Sequence, residues 1–297
     1  MKFYTLSPSS VPENQVLFPT MRPTFNEKGH EFVSIIQEAD VAMMDLHSRI
    51  SEYKQSDIDW LINSNLPVAS FCEYDRGGMS FERWPNPLTI QQEQVFNYIS
   101  RSGVKSVHFC RLLDKTKSYP ENLYPYEKPI LFEQEMGSAD DIFNRPFDIV
   151  WIANSAPQRE TLAKALRLDA RLKVNIILGA KKIPYQDWID EHKKGKLFIS
   201  CSAGGYSNEC VQSLFSVAGH IKERNDQLLA HPFTNGINCV SISEQPTKQE
   251  IDYLRLVVGN KDELYKIYKG CYDHMKAHYT KEAMSNYILE TILKHVQ

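Results

Sequence analysis

The sequence predicts an α/β protein made of two parallel sheets in tandem, each with helices on both faces. Apolar runs that fit buried strands alternate with segments of helical periodicity along most of the chain, and this alternation is typical of doubly wound sheets. It stops near residues 137–146 and then restarts. A chain of 297 residues suits two domains of about 150 residues each. We therefore expect an N-terminal domain over residues 1–145 and a C-terminal domain over residues 146–297.

In the first half, predicted strands are interspersed with predicted helices. Its predicted strands cover residues 16–18, 41–44, 67–72, 104–110 and 130–132, and its predicted helices cover residues 26–39, 56–62 and 89–100. The helix over 26–39 depends on the spacing of Phe32, Ile35 and Ile36 after a cap at Asn26. The segment 114–129 is rich in Pro, Tyr and Lys and predicts a long loop.

In the second half, predicted strands and helices alternate again. Its predicted strands cover residues 148–153, 174–178, 197–199 and 239–242. Its predicted helices cover residues 157–168, 185–193, 210–218, 247–257, 261–278 and 281–296. The last of these form a helical tail beyond the second sheet.

Composition is that of an ordinary globular protein, with 42% hydrophobic and 24% charged residues. We find neither a membrane-spanning apolar run nor a signal-peptide pattern, and the six cysteines show no paired spacing. These features predict a cytoplasmic location. The net charge of −3 is unevenly divided, because carboxylates are in excess over residues 1–145 and cations over residues 146–297. Neither half is basic enough to predict tight nucleic-acid binding, but the second half suits a small anionic ligand.

A glycine-rich turn in the second half is the strongest single signal. The strand at 197–199 is followed by a polar stretch that contains Gly204, Gly205, Ser207 and Asn208, and then by the predicted helix. The first N–H groups of a helix lack internal partners and carry partial positive charge, so such a turn can bind a phosphate. Glycines let the backbone approach the ligand. Ser207 and Asn208 are also good N-caps, so a plain helix start is the alternative interpretation.

Two neighbouring strand ends contribute further polar residues. Asn154, Ser155 and Arg159 follow the strand at 148–153, and Gly179 and Lys181 follow the strand at 174–178. Ligands of open parallel sheets lie beyond the carboxyl ends of the strands. An arginine, a lysine and a helix start at adjacent strand ends would suit a diphosphate. The alternative is that Arg159 and Lys181 are simply solvated.

In the first half, Asp75 and Arg76 follow the strand at 67–72 and precede two glycines. Asp75 is the best-placed carboxylate for general-base chemistry, although a solvated aspartate that stabilises a turn is an equal alternative. We find no G-x-G-x-x-G, P-loop, G-x-S-x-G or H-E-x-x-H motif, and no histidine pairs with cysteine at zinc spacing. We therefore expect no metal and no bound cofactor.

Two doubly wound units with the phosphate-binding residues on the second resemble the GT-B glycosyltransferases. In that family two Rossmann-like domains face each other across a cleft. Residues 148–159, a strand, a short turn and an arginine, look like the family's donor-diphosphate segment. Residues 202–207, Ser-Ala-Gly-Gly-Tyr-Ser, are similar to its donor turn. Residues 261–278 look like the family's closing helices, which pack across both domains.

Short matches also resemble the phage DNA glucosyltransferases within this family. Residues 73–76 look like the strand end that delivers their aspartate base, with Trp-Pro-Asn at 84–86, and residues 158–160 match their Gln-Arg-Glu. One departure is the glutamate that many GT-B enzymes place in the donor helix to hold the ribose. Here the helix offers Gln212 or Ser213 at about that place, with Glu209 one turn earlier.

The resemblance implies a metal-independent glycosyltransferase that moves a hexose from a UDP- or GDP-sugar to a hydroxyl acceptor. That acceptor would be a glycan, a small molecule or a modified DNA base, and the acidic first half favours the first two over DNA. Asp75 and Arg76 would be catalytic. The residues implied in donor binding are Asn154, Ser155, Arg159, Gly179, Lys181, Ser202, Gly204, Gly205, Tyr206, Ser207, Asn208, Glu209 and Gln212. The alternatives are an inactive GT-B-like binding module and a doubly wound protein of another class.

Overall fold

The structure of the chain is a computed structural model. It describes residues 1–6, 18–45, 53–72, 94, 97–99, 103–110, 113–114, 118–126, 135–179, 183–200, 214, 217–223 and 227–296. Within these ranges, strands and helices alternate over part of the chain, and three helices follow one another at its end.

The strands are β1 (Lys2–Leu6), β2 (Glu31–Val33), β3 (Val41–Asp45), β4 (Val68–Cys72), β5 (Ser106–Cys110), β6 (Leu113–Asp114), β7 (Leu123–Pro125), β8 (Phe147–Ala153), β9 (Val174–Leu178), β10 (Gly195–Ser200), β11 (Gly219–Glu223), β12 (Gln227–Leu228) and β13 (Val240–Ile242). The helices are α1 (Phe18–Glu27), α2 (Gln55–Ser64), α3 (Ala139–Phe143), α4 (Pro157–Leu168), α5 (Tyr185–His192), α6 (Lys248–Gly259), α7 (Lys261–His278) and α8 (Lys281–Val296). A 3-10 turn covers Ile36–Glu38.

The chain forms two compact units. The first comprises Met1–Pro129, Gln227–Ala230 and Lys281–Gln297, and the second comprises Ile130–Asp226 and His231–Thr280. The sequence predicted a single division between residues 145 and 146. In the structure the chain returns to the first unit twice, the second time to place α8 there.

The first unit is built on a six-stranded sheet with the order β2-β1-β3-β4-β5-β7, in which all neighbours are parallel. Its central strands are apolar on both faces: residues 41–44 of β3 are fully buried. Such continuous apolar runs are expected of parallel strands covered on both sides. Helix α8 packs against α1 and β5, and β6 pairs with β12 in a short antiparallel ribbon.

The second unit is built on a five-stranded parallel sheet with the order β13-β11-β10-β8-β9. In both sheets the first strand in chain order lies second from one edge. The chain therefore adds its second strand on one side of the first strand and its later strands on the other side. Helix α4 packs against β9, α5 against β8 and β10, and α7 against β11. The strands bury Ile149, Leu197 and Ile221 against Leu254 and Ile267 of the helices. This architecture confirms the predicted α/β class with two doubly wound sheets.

Three sequence predictions in the first half were wrong. The predicted helix over 26–39 is the end of α1 followed by β2 and the 3-10 turn. Gly29 adopts a left-handed conformation (φ +79°) after α1, and this ends the helix. The predicted strand at 16–18 has only Phe18 in the described ranges, where it begins α1. The predicted loop over 114–129 contains β7. The predicted strand at 130–132 lies outside the described residues.

Candidate functional site

The carboxyl edge of the second sheet collects the polar residues that were expected to bind a donor. Asn154, Ser155 and Ala156 link β8 to α4, and Gly179 directly follows β9. Strand β10 lies between β8 and β11 in the sheet, and it ends at Ser200 on the same edge. Because all of these strands are parallel, the segments that follow them leave the sheet on one side.

Arg159 places a cation at this edge. It lies in the first turn of α4, and its Nη1 donates a hydrogen bond of 2.9 Å to the carbonyl oxygen of Asn154. Its Nε is buried and has no hydrogen-bond partner among the described residues. A buried guanidinium nitrogen without an acceptor is costly unless an anion supplies one. The site is therefore suited to an acidic ligand.

The start of α4 adds to this positive character. Ala156 is the N-cap residue, in an extended conformation (φ −156°, ψ 150°), and no side chain caps the helix. Pro157 occupies the first helical position, where its missing N–H costs nothing. The N-cap residue therefore supplies no side-chain acceptor for the remaining N–H groups of the first turn. A helix end of this kind attracts anions.

Ser155 is engaged locally. Its hydroxyl donates a hydrogen bond to the carboxylate of Glu160, which lies in the first turn of α4. A carboxylate there stabilises the helix dipole but repels a bound anion. Ser155 would have to exchange this partner for a phosphate oxygen to serve as a donor ligand.

Gly179 brings the segment after β9 against the segment after β8. Its φ of +72° lies in the left-handed region that favours glycine. Its N–H donates a 3.0 Å hydrogen bond to the carbonyl oxygen of Ala153. A Cβ on Gly179 would lie 3.7 Å from the Cβ of Ser155, an ordinary contact. The backbone conformation, and not crowding, therefore accounts for glycine here.

The structure thus brings together Asn154, Ser155, Arg159 and Gly179. The other residues predicted to form the site lie outside the described residues, and their roles stay predictions. They are Asp75, Arg76, Lys181, Ser202, Gly204, Gly205, Tyr206, Ser207, Asn208, Glu209 and Gln212.

Two residues at this edge were not predicted. Trp188 and His192 lie one turn apart on α5, and their side chains hydrogen-bond to the backbone of Ile152 near the end of β8. Burial lowers the pKa of His192 to about 4, so that its ring is neutral at neutral pH. The only sequence signal was a Trp and a His at i and i+4 on a helix, which is more often a packing pattern.

A groove of about 760 Å³ lies at the other edge of this sheet, where the strands begin. Its lining includes Arg145, Asp148, Arg171, Lys173, Lys196, Asp252 and Arg255. Several of these charges form ion pairs: Lys196 lies 2.9 Å from Asp148, and Arg255 lies 2.7 Å from Asp252. Parallel sheets bind ligands at the opposite, carboxyl edge. We therefore place the candidate site around Arg159.

Known structures share this architecture. The chain is similar to an alpha-glucosyltransferase in complex with UDP and a 13-mer DNA containing a HMU base, with a TM-score of 0.57 and 8% identity over 99% of each chain. It is also similar to Anabaena Alr3699/HepE in complex with UDP and glucose, with a TM-score of 0.55 and 11% identity over 99% of this chain and 100% of that one. The chain has the GT-B fold.

A third GT-B structure, that of S. aureus TarM, is larger. The match has a TM-score of 0.51 and 10% identity, and covers 86% of this chain and 55% of that one. No protein-family model and no curated protein matches the sequence. The predicted resemblance to the GT-B glycosyltransferases is confirmed at the level of the fold.

None of the helices within the described ranges combines the length and the apolar character that a bilayer crossing requires. The cytoplasmic location stays a prediction from the sequence.

Proposed function

We propose that the protein is a glycosyltransferase that moves a sugar from a nucleotide-diphosphate sugar, UDP-linked, to a hydroxyl acceptor. The observation that carries this proposal is Arg159, whose buried Nε lacks a partner among the described residues. Its position at the start of α4, on the carboxyl edge of the second GT-B sheet, is where a diphosphate would bind. Support for uridine comes from the glucosyltransferase and HepE structures, both of which contain UDP.

Charge development explains how such a site would accelerate transfer. Negative charge builds up on the nucleotide diphosphate as the bond to the sugar breaks. The guanidinium of Arg159 and the start of α4 would stabilise that charge, and they are already fixed in place before the reaction. We propose that Lys181 and the glycine turn at 202–209, with Gln212 near the ribose, complete the donor site. Transfer would then need no metal, and activity should persist in EDTA.

A substitution pair on α4 tests this assignment. Arg159→Ala should weaken UDP binding by about 1.5–3 kcal/mol, the value of a charge-assisted hydrogen bond, and should barely change the melting temperature. The matched control is Arg167→Ala, because Arg167 lies two turns later on the same helix and also donates to a backbone carbonyl, that of Ile176. The control should bind UDP normally. Titration calorimetry gives both affinities, and equal affinities in the two variants would remove Arg159 from the site.

Asp75 is the proposed base, with Arg76 beside it in sequence. If transfer inverts the anomeric centre, Asp75→Asn should lower turnover by roughly 10²–10⁴-fold, the usual contribution of general-base catalysis. UDP affinity should be unchanged, because the residue would act on the acceptor. Single-turnover transfer assays give the rate, and a variant with wild-type turnover would contradict this role.

A further inference from the structure

The second sheet opens between β8 and β10 at the edge that carries the candidate site. The two strands pair at Gly195 with Phe147, at Leu197 with Ile149 and at Phe198 with Val150, and no later residues of these fully described strands pair. Strand β8 nevertheless continues beside β9 as far as Ala153. Strand β10 continues beside β11 as far as Ser200. The gap therefore lies between the two strands at which the order of strand addition to the sheet reverses. Ligands of open parallel sheets usually bind in the crevice at this point.

The opening leaves one residue of β8 without a strand partner on that side. Backbone groups of successive residues point to opposite neighbours along a parallel strand. The N–H of Ile149 and the carbonyl of Ala153 both bond towards the β9 side, to Lys173 and Gly179. The N–H and carbonyl of Ile152 must therefore face β10.

Two side chains of α5 take the place of the missing strand. The indole Nε1 of Trp188 donates to the carbonyl oxygen of Ile152 at 3.1 Å. The Nε2 of His192 accepts from the N–H of Ile152 at 3.4 Å. His192 can accept there because its Nδ1 donates to the carbonyl oxygen of Trp188 at 2.8 Å, which fixes the tautomer. The two rings lie 4.4 Å apart, and His192 is 1% exposed.

We propose that Trp188 and His192 form a wedge that sets the separation between the end of β8, which leads to Arg159, and the end of β10. They are positioning residues, since they touch the backbone of β8 and not the ligand. The inference rests on the proposed function, because it assigns the wedge to the diphosphate site. Bonds from side chains with fixed rings hold a strand end more rigidly than water would.

Three variants test the wedge by UDP affinity, measured by calorimetry well below the melting temperature. His192→Leu removes the acceptor for Ile152 and should raise the Kd of UDP about tenfold, the equivalent of one lost hydrogen bond. His192→Gln supplies a side-chain amide oxygen as acceptor and an amide N–H as donor, and it should recover most of the lost UDP affinity. Leu254→Ala is the control: it removes buried packing on α6, away from the wedge, and should lower the melting temperature with UDP affinity unchanged.

The outcomes separate the two proposals. A wild-type protein that binds no UDP contradicts the proposed function and, with it, the proposed role of the wedge. If the wild type binds UDP and His192→Leu binds it equally well, the wedge alone is wrong. If Leu254→Ala weakens UDP binding as much as His192→Leu does, the effect is general destabilisation and the wedge is again wrong.

Discussion

One buried histidine, His108, makes the stability of the first unit depend on pH. His108 on β5 is 3% exposed and lies between two hydroxyls, with its Nδ1 2.6 Å from the Oγ of Ser70 and its Nε2 3.1 Å from the Oγ of Ser106. Burial, followed by the charge of the neighbouring His295, lowers its pKa to about 4. The ring is therefore neutral in the folded protein at neutral pH.

This depressed pKa makes stability depend on pH. Between pH 6.5, the ordinary histidine value, and about pH 4, the unfolded chain takes up a proton at this position and the folded chain does not. Stability should therefore be complete above pH 6.5 and fall as the pH is lowered through this window. We expect His108→Asn to reduce the difference in unfolding free energy between pH 7.5 and pH 5 by about 1–2 kcal/mol. Urea denaturation at both values tests this, and an unchanged difference would contradict it.

The sequence can reveal a residue's type and its place after a strand, but not its partners. Arg159 was predicted because a strand end, a short turn and an arginine follow one another. The lack of a partner for its Nε among the described residues and the bond between Ser155 and Glu160 were not predictable, because side-chain partners depend on rotamers. Asp57 shows the same limit: its place near the start of a predicted helix follows from the sequence, but the hydrogen bond that it accepts from the hydroxyl of Tyr4 does not.

At the scale of elements, close backbone approach governs how α7 packs. Gly270 lies in the middle of this helix, and a Cβ there would lie 2.1 Å from the carbonyl oxygen of Ile237. Backbone cannot move aside as a flexible side chain can. The glycine therefore allows α7 to pack against the turn that leads into β13.

Two helical glycines give a matched test of this contact. Gly270→Ala should destabilise the protein by about 1–3 kcal/mol through overpacking. Gly259→Ala, at the end of α6, meets nothing within 4 Å and should leave stability unchanged or raise it by up to about 1 kcal/mol. Urea denaturation of both variants provides the comparison. A Gly270→Ala protein as stable as the Gly259→Ala protein would show that α7 does not pack this closely.

Elements with clear periodicity and clear ends were predicted with their exact bounds. These are α4, β9, α7 and α8, and α7 shows why: Asn260 caps it by accepting from the N–H groups of Asp262 and Glu263. Strand β11 was missed because Gly219 and the buried His220 interrupt its apolar pattern. In the structure His220 packs its ring on Phe198 and bonds to the Oγ of Ser200.

At the scale of the whole molecule, α8 belongs to the first unit, although the sequence predicted a C-terminal domain over residues 146–297 that would include it. An amphipathic helix has an apolar face, but the pattern does not name its partner. In the first unit the hydroxyl of Tyr287 donates to the carbonyl of Pro125, and His295 contacts the hydroxyl of Tyr124. Both partners lie on β7, a strand within the segment that was predicted to be a loop.

We propose that the protein as a whole transfers a sugar from a nucleotide sugar. The most direct measurement is the release of UDP from UDP-glucose and related donors by the purified protein, with water, glycans and DNA bearing a hydroxymethylated base as acceptors. We expect UDP release that an added acceptor accelerates, that persists in EDTA and that Arg159→Ala sharply reduces. A protein that binds UDP yet releases none from any donor and acceptor pair would be a binding module and would contradict the assignment.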